Sequence, residues 1–160
     1  MSINRIKQYL DDEKIKYVSI KHSSAYTAQE TAECAHVSGK EMAKVVVVNA
    51  DGKLAMVVLP APEHIDMELL KGALDVKKIS LASEEEFSKL FPGCETGAMP
   101  PFGNLYDMDV FVEADITNDE KIAFNAGTHT ELIEMEYKDF ARLVQPRVLR
   151  FSTRYTEATV

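Results

Sequence analysis

The sequence predicts an α/β (α+β) fold: a mixed, largely antiparallel sheet, curled or closed into a β-barrel and surrounded by helices. Three observations predict it. The valine-rich runs AKVVVVN and KLAMVVLP flank Asp51-Gly52, a strong short-range hairpin signal. Further short β-patterned runs recur at 16–22, 76–81, 109–114, 121–125 and 131–137. The helical segments between them follow no regular strand–helix–strand rhythm, which points to a mixed sheet with helices outside.

Taken in order, residues 2–13 place Ile3, Ile6 and Leu10 at three- and four-residue spacing behind Ser2, a helix-capping residue type. KYVSIKH then reads as a strand. Thr27 to Glu30, Ser38 to Glu41 and Ser83 to Glu86 each set a hydroxyl three residues ahead of a glutamate, the reciprocal arrangement that satisfies orphan N–H groups at a helix start. The second of these has room only for a short turn before AKVVVVN begins. Both arms of the hairpin lack polar alternation, so they belong in the middle of a sheet with both faces covered. Asp66 caps a helix over 66–74, VKKISL follows as a strand, and a helix covers 83–90. After the loop GCETGAMPPFGN come the strands DVFVEA, KIAFN and ELIEMEY, then a helix over 137–144 that turns Phe140, Leu143 and Val144 inward.

The chain has 160 residues, the size of one domain with a sizeable core. Residues 1–152 read as that domain and 153–160 as a tail. No apolar run approaches the roughly 18 residues of a membrane span, and the polar N-terminus lacks the apolar region of a signal peptide. Two cysteines, Cys34 and Cys94, without a secretory signal point to reduced thiols and a cytoplasmic protein. A net charge of −8 argues against a protein that coats DNA or other nucleic acid along a broad basic surface. It leaves room for a protein that grips only a nucleic-acid tip, with Lys40, Lys44, Arg147 and Arg150 as candidate contacts.

Metal chemistry has little support. Cys34 and His36 stand two apart with no second ligand pair at zinc spacing, and His22 and His64 are isolated. No cofactor is expected. Ser38-Gly39-Lys40 lacks the glycine spacing and element order of a phosphate loop, and Cys94 has no activating neighbour nearby in sequence. Lys44 is more informative. It stands where the chain enters the valine strand, so its stem can lie along apolar surface while the ammonium reaches a cavity. There it could hold a phosphate, a carbonyl or a developing oxyanion; the plain alternative is a lysine that extends to water.

Two further stretches stand out. In FNAGTHTELI a strand breaks at Asn125-Ala126-Gly127, passes Thr128 and His129, and resumes. Such a break could turn consecutive N–H groups one way and let His129 donate to a ligand; it could also be a simple polar turn. In the proline loop, Pro100 and Pro101 fix the backbone between Gly97 and Gly103, as a wall does that must hold one shape while something packs against it.

Together, the lysine at the entry of a valine-rich strand, the loop Gly97-Ala98-Met99-Pro100-Pro101-Phe102-Gly103 and the late turn Asn125 to His129 resemble the YbaK/ProX family of aminoacyl-tRNA deacylases. That family is related to the editing domain inserted in bacterial prolyl-tRNA synthetase. The resemblance runs over roughly residues 3–150. It implies a mixed β-barrel ringed by helices and hydrolysis of the ester joining a wrong, small amino acid to the 3′ end of tRNA, tRNA(Pro) foremost. The aminoacyl-tRNA acceptor end would be the partner, with prolyl-tRNA synthetase as a second one. By the same resemblance Lys44 is the catalytic residue. Gly97, Met99, Pro100, Pro101, Phe102 and Gly103 form one wall of the substrate site, and Asn125, Gly127, Thr128 and His129 line the other. The chain departs at Val45, where several relatives carry a small polar residue. A non-catalytic module binding a nucleotide or aminoacyl ligand in the same pocket is the principal alternative. A Schiff-base lysine enzyme is a more distant one.

Overall fold

In the computed structural model, which describes residues 3–22, 41–91, 94–95 and 97–153, helix α1 (Ile3–Asp12) buries Ile6 and Leu10. The capping boxes expected to begin at Thr27 and Ser38, and with them Cys34, His36 and Lys40, lie outside the described residues. Strand β1 (Tyr17–Lys21) precedes the hairpin of β2 (Ala43–Ala50) and β3 (Lys53–Pro60), whose register runs from Ala43↔Pro60 to Ala50↔Lys53. Asp51 (φ 50°) and Gly52 (φ 88°) make the turn, both in the left-handed region that a two-residue hairpin loop with the sheet's own twist requires.

Strand β4 (His64–Ile65) leads into α2 (Met67–Leu74). The Asp66 carboxylate accepts from the N–H groups of Glu68 and Leu69, both at 3.1 Å, as the sequence predicts. After β5 (Ile79–Leu81), the third capping box forms in full at the start of α3 (Glu84–Phe87). The Glu86 N–H donates to Ser83 Oγ at 3.2 Å and the Ser83 N–H to Glu86 Oε1 at 3.1 Å. Strands β6 (Asp109–Glu113), β7 (Lys121–Asn125) and β8 (Glu131–Glu136) follow, then α4 (Tyr137–Val144), β9 (Arg147–Leu149) and β10 (Ser152–Thr153).

The strands form a five-stranded sheet in the order β5-β2-β3-β6-β9, a three-stranded sheet β1-β8-β7 and a pair β10-β4. Among the described residues five of the seven strand pairings are antiparallel, and the two parallel ones, β3–β6 and β6–β9, lie in the five-stranded sheet, so the strands pair in a mixed, largely antiparallel way, as expected. The barrel alternative does not hold: among the described residues no sheet closes on itself, and β5 and β9 remain edges of the larger sheet. The two larger sheets meet at one parallel bridge, Met42↔Ala123, where the Ala123 N–H donates to Glu41 O at 3.0 Å.

The hairpin is covered on both faces. Ala43, Val47, Met56 and Val58 join Val110, Val112, Phe124, Ile133 and Phe140 in the main core. On the opposite face Val48, Ala55, Val57 and Leu59 pack with Leu70, Phe111 and Phe151. A small third cluster, Met42, Ala61, Ala123 and Leu132, fills the junction between the sheets. Among the described residues no helix is long and apolar enough to cross a membrane.

Candidate functional site

Side chains alternate along a strand, and that alternation decides where Lys44 points. Val45 and Val47 turn to the main core, so Lys44 shares the opposite face with Val46 and Val48, across from Leu59 on β3. Lys44 is half-buried. Burial pushes its amine below the usual lysine range, while the negative charge of Glu63 pulls it back up. Val45, where the chain departs from its resemblance, packs on the main core and takes no part on the face of Lys44.

The proline loop and the late turn are joined backbone to backbone. The Glu95 N–H donates to Gly127 O at 2.8 Å, the Gly127 N–H to Ala98 O at 2.9 Å, and the His129 N–H to Glu95 Oε2 at 3.4 Å. Gly97 has φ 84°, and a Cβ there would lie 3.7 Å from His129 Cε1, so the buried imidazole lies against this glycine. Gly127 has φ 97°. Its conformation does not produce the array of free N–H groups that the sequence suggests. The N–H groups of Gly127 and His129 are used by the proline loop, and that of Ala126 donates to Glu131 O at 3.2 Å. Thr128 Oγ1 lies 3.4 Å from Thr130 Oγ1.

Pro100 and Pro101 are buried. Their neighbours explain how the loop is fixed. Met99 and Phe102 belong to the main core, and the Phe102 ring meets Tyr9, Phe124 and Phe140 edge-on at centroid distances of 5.8, 5.5 and 5.5 Å. Gly103 is glycine because of close approach: a Cβ there would fall 2.7 Å from Val110 Cγ2 and 2.9 Å from Met108 O. The loop is therefore stiffened by its prolines and also anchored at Met99, Phe102 and Gly103.

Asn125 ends β7 on the same face as Ala123, the bridge partner of Met42, whose face Lys44 shares. Its Oδ1 is buried and has no hydrogen-bond partner among the described residues. The structure thus brings the loop and the turn into contact through their backbones, and relates Asn125 to Lys44 across the junction of the sheets. Two of the candidate nucleic-acid contacts are engaged within the protein: Arg147 lies over the Phe111 ring at 5.6 Å, and Arg150 pairs with Asp115 and Glu113. A groove of about 380 Å³ between Thr117, Asp119, Glu120, Glu136, Tyr137 and Lys138 holds none of these site residues, and its acidic rim does not suit a phosphate.

A family of known proteins matches this arrangement. The model of the aminoacyl-tRNA editing domain matches residues 22–143, a span that contains Lys44, the proline loop and the late turn. The chain belongs to the aminoacyl-tRNA editing domain family. It is 25% identical over 142 residues to the prolyl-tRNA editing protein ProX of Acetoanaerobium sticklandii, covering 85% of this chain and 86% of the relative. It is also 25% identical over 152 residues to the multifunctional Ser/Thr-tRNA deacylase ProXp-y of Escherichia coli K12, covering 92% and 90%. Two solved structures share the fold, each with a TM-score of 0.81: the hypothetical protein APE2540 and a candidate trans-editing enzyme for prolyl tRNA synthetase. The first is 20% identical and covers 92% of this chain and 99% of its own; the second is 18% identical and covers 94% and 96%.

This editing-domain chain also carries a feature that sequence reading missed. Glu63 and Glu113 are each 1% exposed, and with Asp115 they bring one carboxylate oxygen apiece within 4.8 Å of one another. A partial signal existed. In DVFVE, Glu113 has the same parity as Phe111, so it points at a covered face. Nothing local marks Glu63, whose surroundings come from residues distant in the chain.

Proposed function

We propose that the protein is a trans-editing aminoacyl-tRNA deacylase acting in the cytoplasm. It hydrolyses the ester between a small, wrongly attached amino acid and the 3′ end of tRNA, with tRNA(Pro) the foremost substrate and prolyl-tRNA synthetase a partner. The observation that carries this reading is a half-buried lysine, Lys44, on the same side of the sheet junction as Asn125, whose buried Oδ1 has no hydrogen-bond partner among the described residues, within a member of the editing-domain family. An ammonium there suits the terminal phosphate or the ester carbonyl as it gains negative charge. The amide oxygen suits the α-ammonium of the attached amino acid.

Catalysis needs no protein nucleophile. Water, or the neighbouring ribose hydroxyl, adds to the ester carbonyl carbon and the carbonyl π pair moves onto oxygen, where Lys44 stabilises it. When that pair returns, the ribose oxygen leaves and takes a proton. Free amino acid and uncharged tRNA result from attack by water; attack by the ribose hydroxyl first moves the ester, which water then cleaves. The protein contributes position and charge. Gly97, Pro100 and Pro101 present a wall held from behind by Met99, Phe102 and Gly103, with Gly127, Thr128 and His129 beside it. A wall that does not yield excludes larger side chains by volume.

One relative is named for prolyl-tRNA editing and the other for Ser/Thr-tRNA deacylation, so substrate choice is the quantity to measure. Purified protein should release amino acid faster from tRNA charged with alanine, serine, cysteine or threonine than from correctly charged prolyl-tRNA. Release from none of them would overturn the reading in favour of a binding module. Borohydride trapping of an adduct on Lys44 would replace it with Schiff-base chemistry.

A further inference from the structure

Nothing in the proposed reaction uses Glu63, yet it is 1% exposed. A carboxylate removed from water needs partners, and its partners come from distant parts of the chain. The Glu63 N–H donates to Pro60 O at 3.0 Å, so the chain turns directly after β3, at the end of the sheet where Ala43 faces Pro60 and Lys44 faces Leu59. Ser152 Oγ donates a short hydrogen bond to Glu63 Oε1. Pairing of β10 with β4, Ser152 opposite Ile65, brings that hydroxyl into place.

Behind Glu63 stands a second layer. Glu113 Oε2 accepts from the N–H groups of Phe151 at 2.7 Å and Ser152 at 3.1 Å. Arg150 Nη1 lies 3.1 Å from Asp115 Oδ1 and 3.6 Å from Glu113 Oε1. Among the described residues, the charged groups around Glu63 are Glu113 from β6, Asp115 from the turn after it and Arg150 through that pair, and Lys44, opposite Leu59 at the same end of the sheet, feels its charge. Three carboxylates have the spacing of a cation site. Here Arg150, the two N–H groups and the Ser152 hydroxyl already occupy acceptor positions, so the cluster is an internal charge network.

We infer that Glu63 is a positioning residue for Lys44: a buried carboxylate, fixed by Ser152 and backed by Glu113, Asp115 and Arg150, whose charge draws the ammonium toward this end of the sheet and keeps it charged for the aminoacyl end of tRNA. The inference rests on the editing role given to Lys44 above. It makes the C-terminal segment 150–153 part of the site, although it lies at the far end of the sequence from the lysine. Electrostatics agree with the geometry. Burial lowers the Lys44 amine and Glu63 opposes that shift. Burial, followed by Asp115 and Glu113, pushes Glu63 up, while the Ser152 hydrogen bond pulls it down. The Ser152 hydroxyl, which donates to Glu63 Oε1, favours the ionised form of that carboxylate.

The test is a titration of Lys44 followed by NMR in protein with ¹³C-labelled lysine, compared between wild type and Glu63→Gln. Removing the carboxylate disfavours the ammonium, so the Lys44 midpoint should move to lower pH by about one unit, a tenfold change in proton affinity. The alkaline limb of the deacylation pH–rate profile should move the same way. A folded Glu63→Gln protein with an unmoved midpoint overturns the inference, whatever its thermal stability, because a merely structural glutamate would lower Tm without touching Lys44. Should Glu63→Gln fail to fold, Ser152→Ala decides. It keeps the carboxyl but removes the donor that favours its ionised form, so the Lys44 midpoint should fall by a smaller amount; a wild-type midpoint overturns the inference. The titration needs no substrate, which separates the two proposals. A moved midpoint in a protein that deacylates nothing sinks the editing reading and leaves the pairing. Active wild type with an unmoved midpoint in the variants sinks the pairing alone.

Discussion

On the main-core face of the five-stranded sheet, Val47, Met56, Val58, Val110 and Val112 pack against Met99, Phe102, Phe124 and Phe140. On the opposite face the same strands carry Lys44 and Glu113 beside Val48, Leu59 and Phe111, with Glu63 and the C-terminal Phe151 closing over that end. One residue along a strand separates the two environments, because side chains alternate. The apolar face anchors the proline loop by packing Met99 and Phe102. The mixed face can hold a reactive amine, but only by balancing buried charge. Under the proposed function, shape selectivity and reactivity fall on opposite faces of one sheet, with Lys44 two residues along from Met42, which bridges Ala123.

If the division is real, substitutions on the apolar face should act on stability first. Phe102→Ala, which empties a fully buried site among Tyr9, Phe124 and Phe140, should cost about 3–5 kcal/mol in denaturant unfolding. A cost below about 1 kcal/mol would mean that the loop is not anchored there. Gly103→Ala sets a Cβ 2.9 Å from the Met108 carbonyl oxygen and should cost about 1–3 kcal/mol by the same measurement.

The junction itself should be pH-sensitive. Burial, followed by a hydrogen bond and charge repulsion from Glu134, pushes Glu41 up to about 7 from an ordinary 4.5. A carboxyl raised in the folded state binds a proton that the unfolded chain has released. Stability should therefore fall as pH rises from about 4.5 to about 7 and level off above. Urea unfolding at several pH values checks this, and Glu41→Gln should flatten the slope. A wild-type slope of the opposite sign in that window would show that the pair does not share a proton.

What was legible in the sequence was local. The Asp51-Gly52 hairpin, the Asp66 cap and the Ser83–Glu86 box each depend on residues within a few positions, and all formed as expected. So did the inward turn of Phe140 and Val144. The strands β4, β9 and β10 are two or three residues long, too short for periodicity to mark, and exist because distant partners pair with them. Parallel pairing of β3 with β6 likewise has no local signal. At the site, Lys44 and both glycines of the proline loop could be singled out, but not the reason for Gly103, which is the approach of Val110 and Met108. Nor could Glu63 be connected with Ser152. Whether Gly127 frees or engages its N–H was equally undecided by sequence, since a positive φ permits both.

The most direct test of the whole account is hydrolysis of a mischarged tRNA by Lys44→Ala, measured beside its melting temperature. The expected rate is lower by on the order of 10²–10³ in a protein that still folds, because the lysine lies outside the apolar packing that holds the loop; a lowered Tm would reflect the buried Glu63 charge left without that cation. A variant that deacylates at the wild-type rate would contradict it.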